Sequence, residues 1–197
     1  MAKEDIRILK TKRDLRAGIV TLLKDRPFEK ITVCDICEQS IINRMTFYKH
    51  YMDKKDLLDD VIKITKNKFM IGDFTDAEAY EYPAKTLTNA FKKTANGCAE
   101  AKDELVALGL YDKTLVWEIV YKPLEDAVQK VIKLYNERVK TSKYPTDIVG
   151  VFVCGGLLKL IDRMIKNDYE FTEDSEKMVE NFFNQIFTTN VFFTYGE

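Results

Sequence analysis

Residues 28–62 read FEKITVCDICEQSIINRMTFYKHYMDKKDLLDDVI. Three positions divide this stretch into short helices. Thr32, Asn43 and Asp53 each carry the kind of side-chain oxygen that caps a helix N-terminus, and each stands just ahead of apolar residues at helical spacing. Val33, Ile36 and Cys37 follow Thr32. Met45, Phe47, Tyr48 and Tyr51 follow Asn43. Leu57, Leu58, Val61, Ile62, Thr65 and Phe69 follow Asp53. Upstream, Leu15, Ile19, Leu22 and Leu23 recur at i, i+4, i+7 and i+8, one face of a helix. Pro27 ends that helix, because the residue before a proline is pushed out of helical geometry. Residues 11–70 therefore read as four helices with very short connections. The brief break between the second and third gives a helix-turn-helix layout.

That layout has a physical fit to duplex DNA. The first helix of the pair crosses the backbone, and the second enters the major groove with its first turns against base edges. Arg44 is placed to reach guanine, and Thr46 a thymine methyl or a phosphate. Lys49 adds charge, while Tyr48 and His50, the only histidine, can hydrogen-bond phosphate oxygens. Lys54 sits beside the positive N-terminus of the next helix. Interleaved charges and aromatics at helical spacing also describe an ordinary solvated face over a core, and periodicity alone does not separate the two readings.

The rest of the chain is helical in pattern. Eight Gly and four Pro in 197 residues leave little material for turns. Net charge is −1, so the molecule as a whole has no bias toward polyanions. Residues 1–60 are slightly basic and the remainder slightly acidic. The stretch 72–84 loses periodicity and is the candidate domain boundary. Leu87, Ala90, Phe91 and Thr94 resume a helix that ends near Gly97, and Leu105–Leu110 form a shorter apolar segment. A long stripe runs from Leu115 to Tyr135, and Pro123 is expected to kink or split it near Tyr121. Residues 147–166 are apolar round most of their circumference, and 175–193 repeat Met178, Val179, Phe182, Phe183, Ile186 and Phe187, so a partner subunit is expected to cover one side. Gly155 and Gly156 each cost that helix about 1 kcal/mol relative to Ala, a cost that close approach of another helix explains. No strand pattern is apparent. No apolar run reaches membrane-spanning or signal-peptide length, so a cytoplasmic location with no membrane partner is expected.

Residues 28–62 resemble the DNA-binding region of the TetR family of transcriptional regulators. The resemblance rests on Ile31-Thr32, Thr46-Phe47-Tyr48, His50-Tyr51, Lys54 and Leu57-Leu58. It implies an all-α protein with an N-terminal helix-turn-helix domain over 1–52, a connecting helix over 53–70, and an effector-binding and dimerisation domain over 71–197. It implies that Thr32, Thr46, Tyr48, His50 and Lys54 contact phosphates, that Arg44, Met45 and Lys49 read bases, and that Phe47 is core. With Asn43 and Cys34 these form the candidate DNA-binding set. Two positions depart from the family pattern. Ile41 stands in the turn where the family carries Gly, and a β-branched residue resists positive φ. Cys34 stands where many relatives carry an Arg that reads a guanine.

Cys34 and Cys37 form a CxxC. Cys34 lies in a first helical turn, where a thiol pKa is lowered, so a thiol switch is one alternative regulation. The other reading makes Cys37 a core residue and Cys34 plain surface. With one histidine and no second cysteine pair nearby, no metal or cofactor site is expected. No phosphate loop or nucleophile–base motif appears, so an enzyme is not expected. The expected partners are a near-palindromic DNA operator, a small-molecule effector and a second copy of the chain. Phe91, Tyr111, Trp117, Tyr121 and Tyr135 are the effector-pocket candidates, although aromatics at this spacing more often build core. The dimer-interface candidates are Val153, Gly155, Gly156, Leu157, Leu160, Phe182, Phe183, Ile186 and Phe187. The expected function is a dimeric repressor released from its operator by the effector, with action through a protein partner, or activation, as an alternative.

Overall fold

A computed structural model describes residues 6–69, 71, 74–166, 172–189 and 192–194. Met70, at the end of the expected connecting helix, Gly72 and Asp73, in the expected boundary region, and Asn190 and Val191, in the expected last helix, lie outside the described residues. The elements in chain order are α1 (Ile6–Asp25), a 3-10 turn (Phe28–Lys30), α2 (Val33–Ser40), α3 (Arg44–Tyr48), α4 (Lys54–Asn67), α5 (Asp76–Glu81), α6 (Pro83–Glu100), α7 (Lys102–Tyr111) and α8 (Lys113–Val116). A π-helical turn (Trp117–Tyr121), α9 (Lys122–Arg138), β1 (Thr141–Ser142), α10 (Thr146–Ile165), α11 (Glu173–Thr188) and β2 (Phe193–Thr194) complete the chain. Among the described residues the structure is all-α apart from β1 and β2, which pair antiparallel. That pairing corrects the strand-free expectation, and it ends the last helix at Thr188 with Phe193 fully buried.

Packing divides the chain into two compact units. One holds residues up to 68 together with 101–116; the other holds 69–100 together with the residues from 117 onward. This division differs from the one expected at 52 and 70, because α7 packs on α1 and α4 and α8 packs on α7.

In the first unit each expected cap is made. Thr32 and Asp35 form a capping box at α2, the Asn43 side chain accepts from Thr46 N at 2.7 Å, and Asp53 accepts from Lys55 N and Asp56 N. Each cap stabilises its helix by about 1 kcal/mol. Leu15, Ile19, Leu22 and Leu23 are buried, as are Ile36, Phe47, Leu57, Leu58 and Val61. Burying Phe47 completely contributes roughly 2 kcal/mol. Gly18 lets α1 approach α2 closely: a Cβ there would lie 3.2 Å from that of Ser40.

The turn between α2 and α3 is closed by Ile41 in the left-handed region, with φ 58° and ψ 38°. The Ile42 N–H donates to the Cys37 carbonyl and the Ile41 N–H to that of Glu38, the closure a glycine normally makes. The β-branched side chain is 94% exposed and gains no packing in return. A left-handed residue other than glycine costs about 1–2 kcal/mol, and a glycine gives back about half of that through its freer unfolded chain. Ile41→Gly is thus expected to raise stability by about 0.5–1 kcal/mol. In urea this appears as a higher midpoint with unchanged slope; a midpoint at or below wild type contradicts the strain.

In the second unit α6, α9, α10 and α11 surround a core that includes Phe91, Leu124, Val128, Ile132 and Phe183. Tyr135, Phe187 and Phe193 form an aromatic cluster with ring centroids 4.8–5.7 Å apart. The expected break at Pro123 is the π turn, after which α9 starts with proline in its first turn. Here the missing N–H costs nothing. Of the dimer-interface candidates, Val153, Leu157, Phe183, Ile186 and Phe187 are buried in the chain's own core, on the inward stripes of α10 and α11. Leu160 is half-buried, and Gly155, Gly156 and Phe182 face outward. The outward apolar residues that sequence reasoning missed are Ile148, Val151, Phe152 and Met178. Among the described residues no helix is long and apolar enough to cross a membrane.

Candidate nucleic-acid interface

The site is built on α3, five residues long and too short to hold itself in water. It is held by its neighbours. Phe47 anchors its inner face, edge-on to Tyr48 at 5.4 Å. Beyond its end, Tyr51 is buried and donates from its hydroxyl to Asp60 Oδ2 at 2.6 Å. The same oxygen accepts from Arg16 Nη1 at 2.9 Å. This triad ties the end of α3 to α4 and α1. Burial first, and the Asp60 carboxylate next, push the Tyr51 hydroxyl pKa well up, so it stays a donor. No local pattern announced the triad, since its members lie far apart in sequence.

So held, α3 presents Arg44, Met45, Tyr48 and Lys49 exposed, with Thr46 and His50 half-buried. Tyr48, one turn on, raises the Arg44 pKa, so the first residue of α3 carries a permanent planar cation. A guanidinium so placed can make the bidentate contact to guanine O6 and N7, and Met45 can meet a thymine methyl. Thr32 and Asn43 have a second duty. The Thr32 hydroxyl donates to Asp35 Oδ2 at 2.8 Å, and the Asn43 oxygen is taken by its cap. Either can reach a phosphate only with its remaining capacity.

Lys54 departs from the role the resemblance implies. Its ammonium donates to the carbonyls of Phe28, Glu29 and Ile31 at 2.8, 3.2 and 2.7 Å, and lies 4.5 Å from the Phe28 ring centroid. An ammonium has three protons, and all are used to tie α4 to the turn ahead of Thr32. Lys54→Met is expected to lower stability by about 1–3 kcal/mol while leaving the salt dependence of DNA binding unchanged. A salt slope reduced by about one unit would make Lys54 a phosphate contact instead.

Cys37 is buried as core, and Cys34 matches the plain-surface reading. It is exposed, but its thiol donates to Glu38 Oε1 at 3.3 Å, and that hydrogen bond and charge raise its pKa. The carboxylate one turn on thus shifts the thiol away from the thiolate form rather than toward it. Burial raises the Cys37 pKa as well. Among the described residues no group of three or more His, Cys, Asp or Glu could hold a metal ion.

The effector-pocket candidates separate. Tyr111 belongs to the first unit, edge-on to Phe28 at 5.3 Å; the other four belong to the second. Phe91 is core, and the Tyr135 hydroxyl donates to the Phe187 carbonyl inside the core. Trp117 and Tyr121 pair at 5.7 Å in the π turn with partial exposure. Burial, with smaller contributions from Asp162 and Cys98, pushes the Tyr121 pKa up to about 12.

No protein-family model matches the chain. Over 60 residues it is 35% identical to the HTH-type transcriptional regulator YxbF of Bacillus subtilis, a match that spans 30% of this chain and 16% of that protein. The TetR-family regulator PfmR of Thermus thermophilus superposes with a TM-score of 0.57 at 14% identity, covering 95% of this chain and 97% of its own. A TetR-family regulator of Syntrophomonas wolfei gives 0.57 at 12% identity, with 93% and 97% covered. The dihydroxyacetone kinase operon activator DhaS gives 0.51 at 16% identity, with 93% and 98% covered. The chain has the fold of TetR-family transcriptional regulators.

Proposed function

We propose that this chain, with its TetR-type fold, is a homodimeric, sequence-specific DNA-binding transcriptional regulator. In this reading it represses from a near-palindromic operator and is released by a small-molecule effector. The observation that carries it is the braced α3, which holds Arg44, Met45, Tyr48 and Lys49 outward on a rigid base. Rigid presentation is what base reading needs, while the surrounding phosphate contacts set orientation. The test is selection from a random duplex library with the purified protein. A two-fold symmetric consensus supports the reading; a folded dimer that enriches nothing contradicts it. Arg44→Ala is then expected to cost about 1–3 kcal/mol of affinity and relax specificity at one position per half-site. An equal loss on every sequence would assign Arg44 to phosphate.

The second copy is expected on the outward face of α10 and α11. Phe152 is 74% exposed and Phe182 50%, with Ile148, Val151 and Met178 beside them. A Cβ on Gly155 or Gly156 would meet nothing within 4 Å, so the chain itself gives no steric reason for two mid-helix glycines. A partner helix packed against them does. A dimer presents two copies of α3, and this matches a two-fold operator. The effector reading rests on Trp117 and Tyr121, the candidates that remain partly open, at a π turn of the kind often found at functional sites. An effector acts by preferring one of two states and shifting the population from the DNA-competent one. DhaS, an operon activator of the same fold, favours activation as the second reading. A reporter behind the selected operator decides the sign.

A further inference from the structure

Within the first unit a cleft of about 360 Å³ opens between α1 and α4 at the first turn of α7. Its floor is mainly aliphatic, made by Ala17 and Val20 of α1 and Val61 and Ile64 of α4, with Thr21 and Thr65 beside them. Each aliphatic pair is three residues apart, on one helix face. Its rim carries four cations, Arg13, Arg16, Lys24 and Lys68, against two carboxylates, Asp103 and Glu104. Those carboxylates are consecutive residues of α7. Asp103 is ion-paired to Lys24, and Glu104 to Lys68 at 3.2 Å. The size lies within the range of small-molecule sites, as does the combination of an apolar floor with a few polar groups.

The rim restricts the ligand class. All four cations are already ion-paired, Arg13 to Asp14 and Arg16 to Asp60 as well as the two lysines to α7, so a ligand head enters by exchange with a resident carboxylate. A carboxylate meets donors already set for one, since two of the chain's own carboxylates occupy them. The floor has no aromatic ring, so it suits an alkyl body. We propose that this cleft binds a small aliphatic carboxylate, with its head on Lys24 and Lys68 in place of Asp103 and Glu104 and its chain on the floor between α1 and α4. Head and α7 compete for the same lysines, so binding frees the first turn of α7 from α1 and α4. The proposal concerns binding to this cleft and does not depend on the protein's action on DNA.

The experiment is calorimetric titration of the full chain with octanoate, beside octanol and acetate. Octanoate is expected to bind saturably, and the other two at least ten-fold more weakly, because each lacks one half of the recognition. The variant Lys24→Gln/Lys68→Gln is expected to weaken octanoate by ten-fold or more. Asp103→Asn/Glu104→Gln removes the internal competitors and leaves the lysines, so it is expected to bind about ten-fold tighter. The opposite signs separate loss of a site from general loosening of the fold, and the amide variant carries the test if the lysine variant unfolds. Absence of saturable octanoate heat, equal binding of octanol, or no gain in the amide variant overturns the proposal.

Discussion

Phe152→Lys is expected to turn the protein into a monomer and to cost it about a thousand-fold in operator affinity. Phe152 stands outward from the middle of α10, exposed over three quarters of its surface and next to the outward glycines. In the proposed dimer its ring lies in the interface, where a lysine would leave a desolvated charge without a partner. In a monomer the same change replaces an exposed ring by a solvated ammonium and is nearly neutral. The affinity loss follows from linkage: the second recognition helix binds at the effective concentration set by the first, typically worth 10²–10⁴. Sedimentation reads the mass and anisotropy on a labelled operator the affinity. A variant that stays dimeric moves the interface elsewhere. Gly155→Ala/Gly156→Ala sharpens the result, since alanine favours an isolated helix by about 1 kcal/mol per site. A stabler but monomeric variant is the outcome expected of a close helix crossing.

The second large effect is expected from Asp60→Ala, at about 2 kcal/mol of stability together with loss of DNA binding. The change leaves the Arg16 guanidinium and the buried Tyr51 hydroxyl without their shared acceptor. Breaking a fully buried pair costs roughly 3–5 kcal/mol. Here the Arg16 and Asp60 side chains keep 21% and 27% of their exposure, so water offsets part of the loss. The carboxyl is also pulled two ways. Burial raises its pKa, but the hydrogen bonds from Tyr51 and Arg16 outweigh that, and the net value lies below the ordinary one. A group that binds its proton more weakly when folded stabilises the fold fully above its unfolded pKa, near 3.9. It loses that contribution as pH falls through the folded value. The wild type is therefore expected to weaken below about pH 4, and Asp60→Asn to show a flatter acid limb from a lower plateau. An unchanged acid limb in Asp60→Asn removes the triad as its source.

The parts of the fold that could be read from the sequence are those fixed by near neighbours. The caps Thr32, Asn43 and Asp53 act within three residues, and the stripes Leu15–Leu23 and Leu57–Phe69 repeat within a helix, so α1 to α4 follow from local pattern. The exposure of Arg44, Met45, Tyr48 and Lys49 follows in the same way from Phe47 pointing inward. Features set at a distance were not readable. Lys54 reaches carbonyls 23–26 residues away, a role that its position after Asp53 does not reveal. Tyr111 packs on Phe28 because α7 lies with α1, and periodicity carries no information on which helix a stripe will meet. α5 was missed because six residues bury only Ala79, and β1 and β2 because two residues make no alternation. The outward face of α10 went unresolved for another reason. With apolar residues nearly all round, sequence shows that a second cover is needed but not which side it takes.

Because the first unit is completed by residues 101–116, the ribosome makes it in two instalments. Synthesis proceeds at roughly 5–20 residues per second, so several seconds separate the emergence of α4 from that of α7. Through that interval the surfaces of α1 and α4 that α7 will cover stand open on a nascent chain. The finished unit appears only after α6 has been made, so a nascent chain cut short before α7 lacks the cover that α7 gives to α1 and α4.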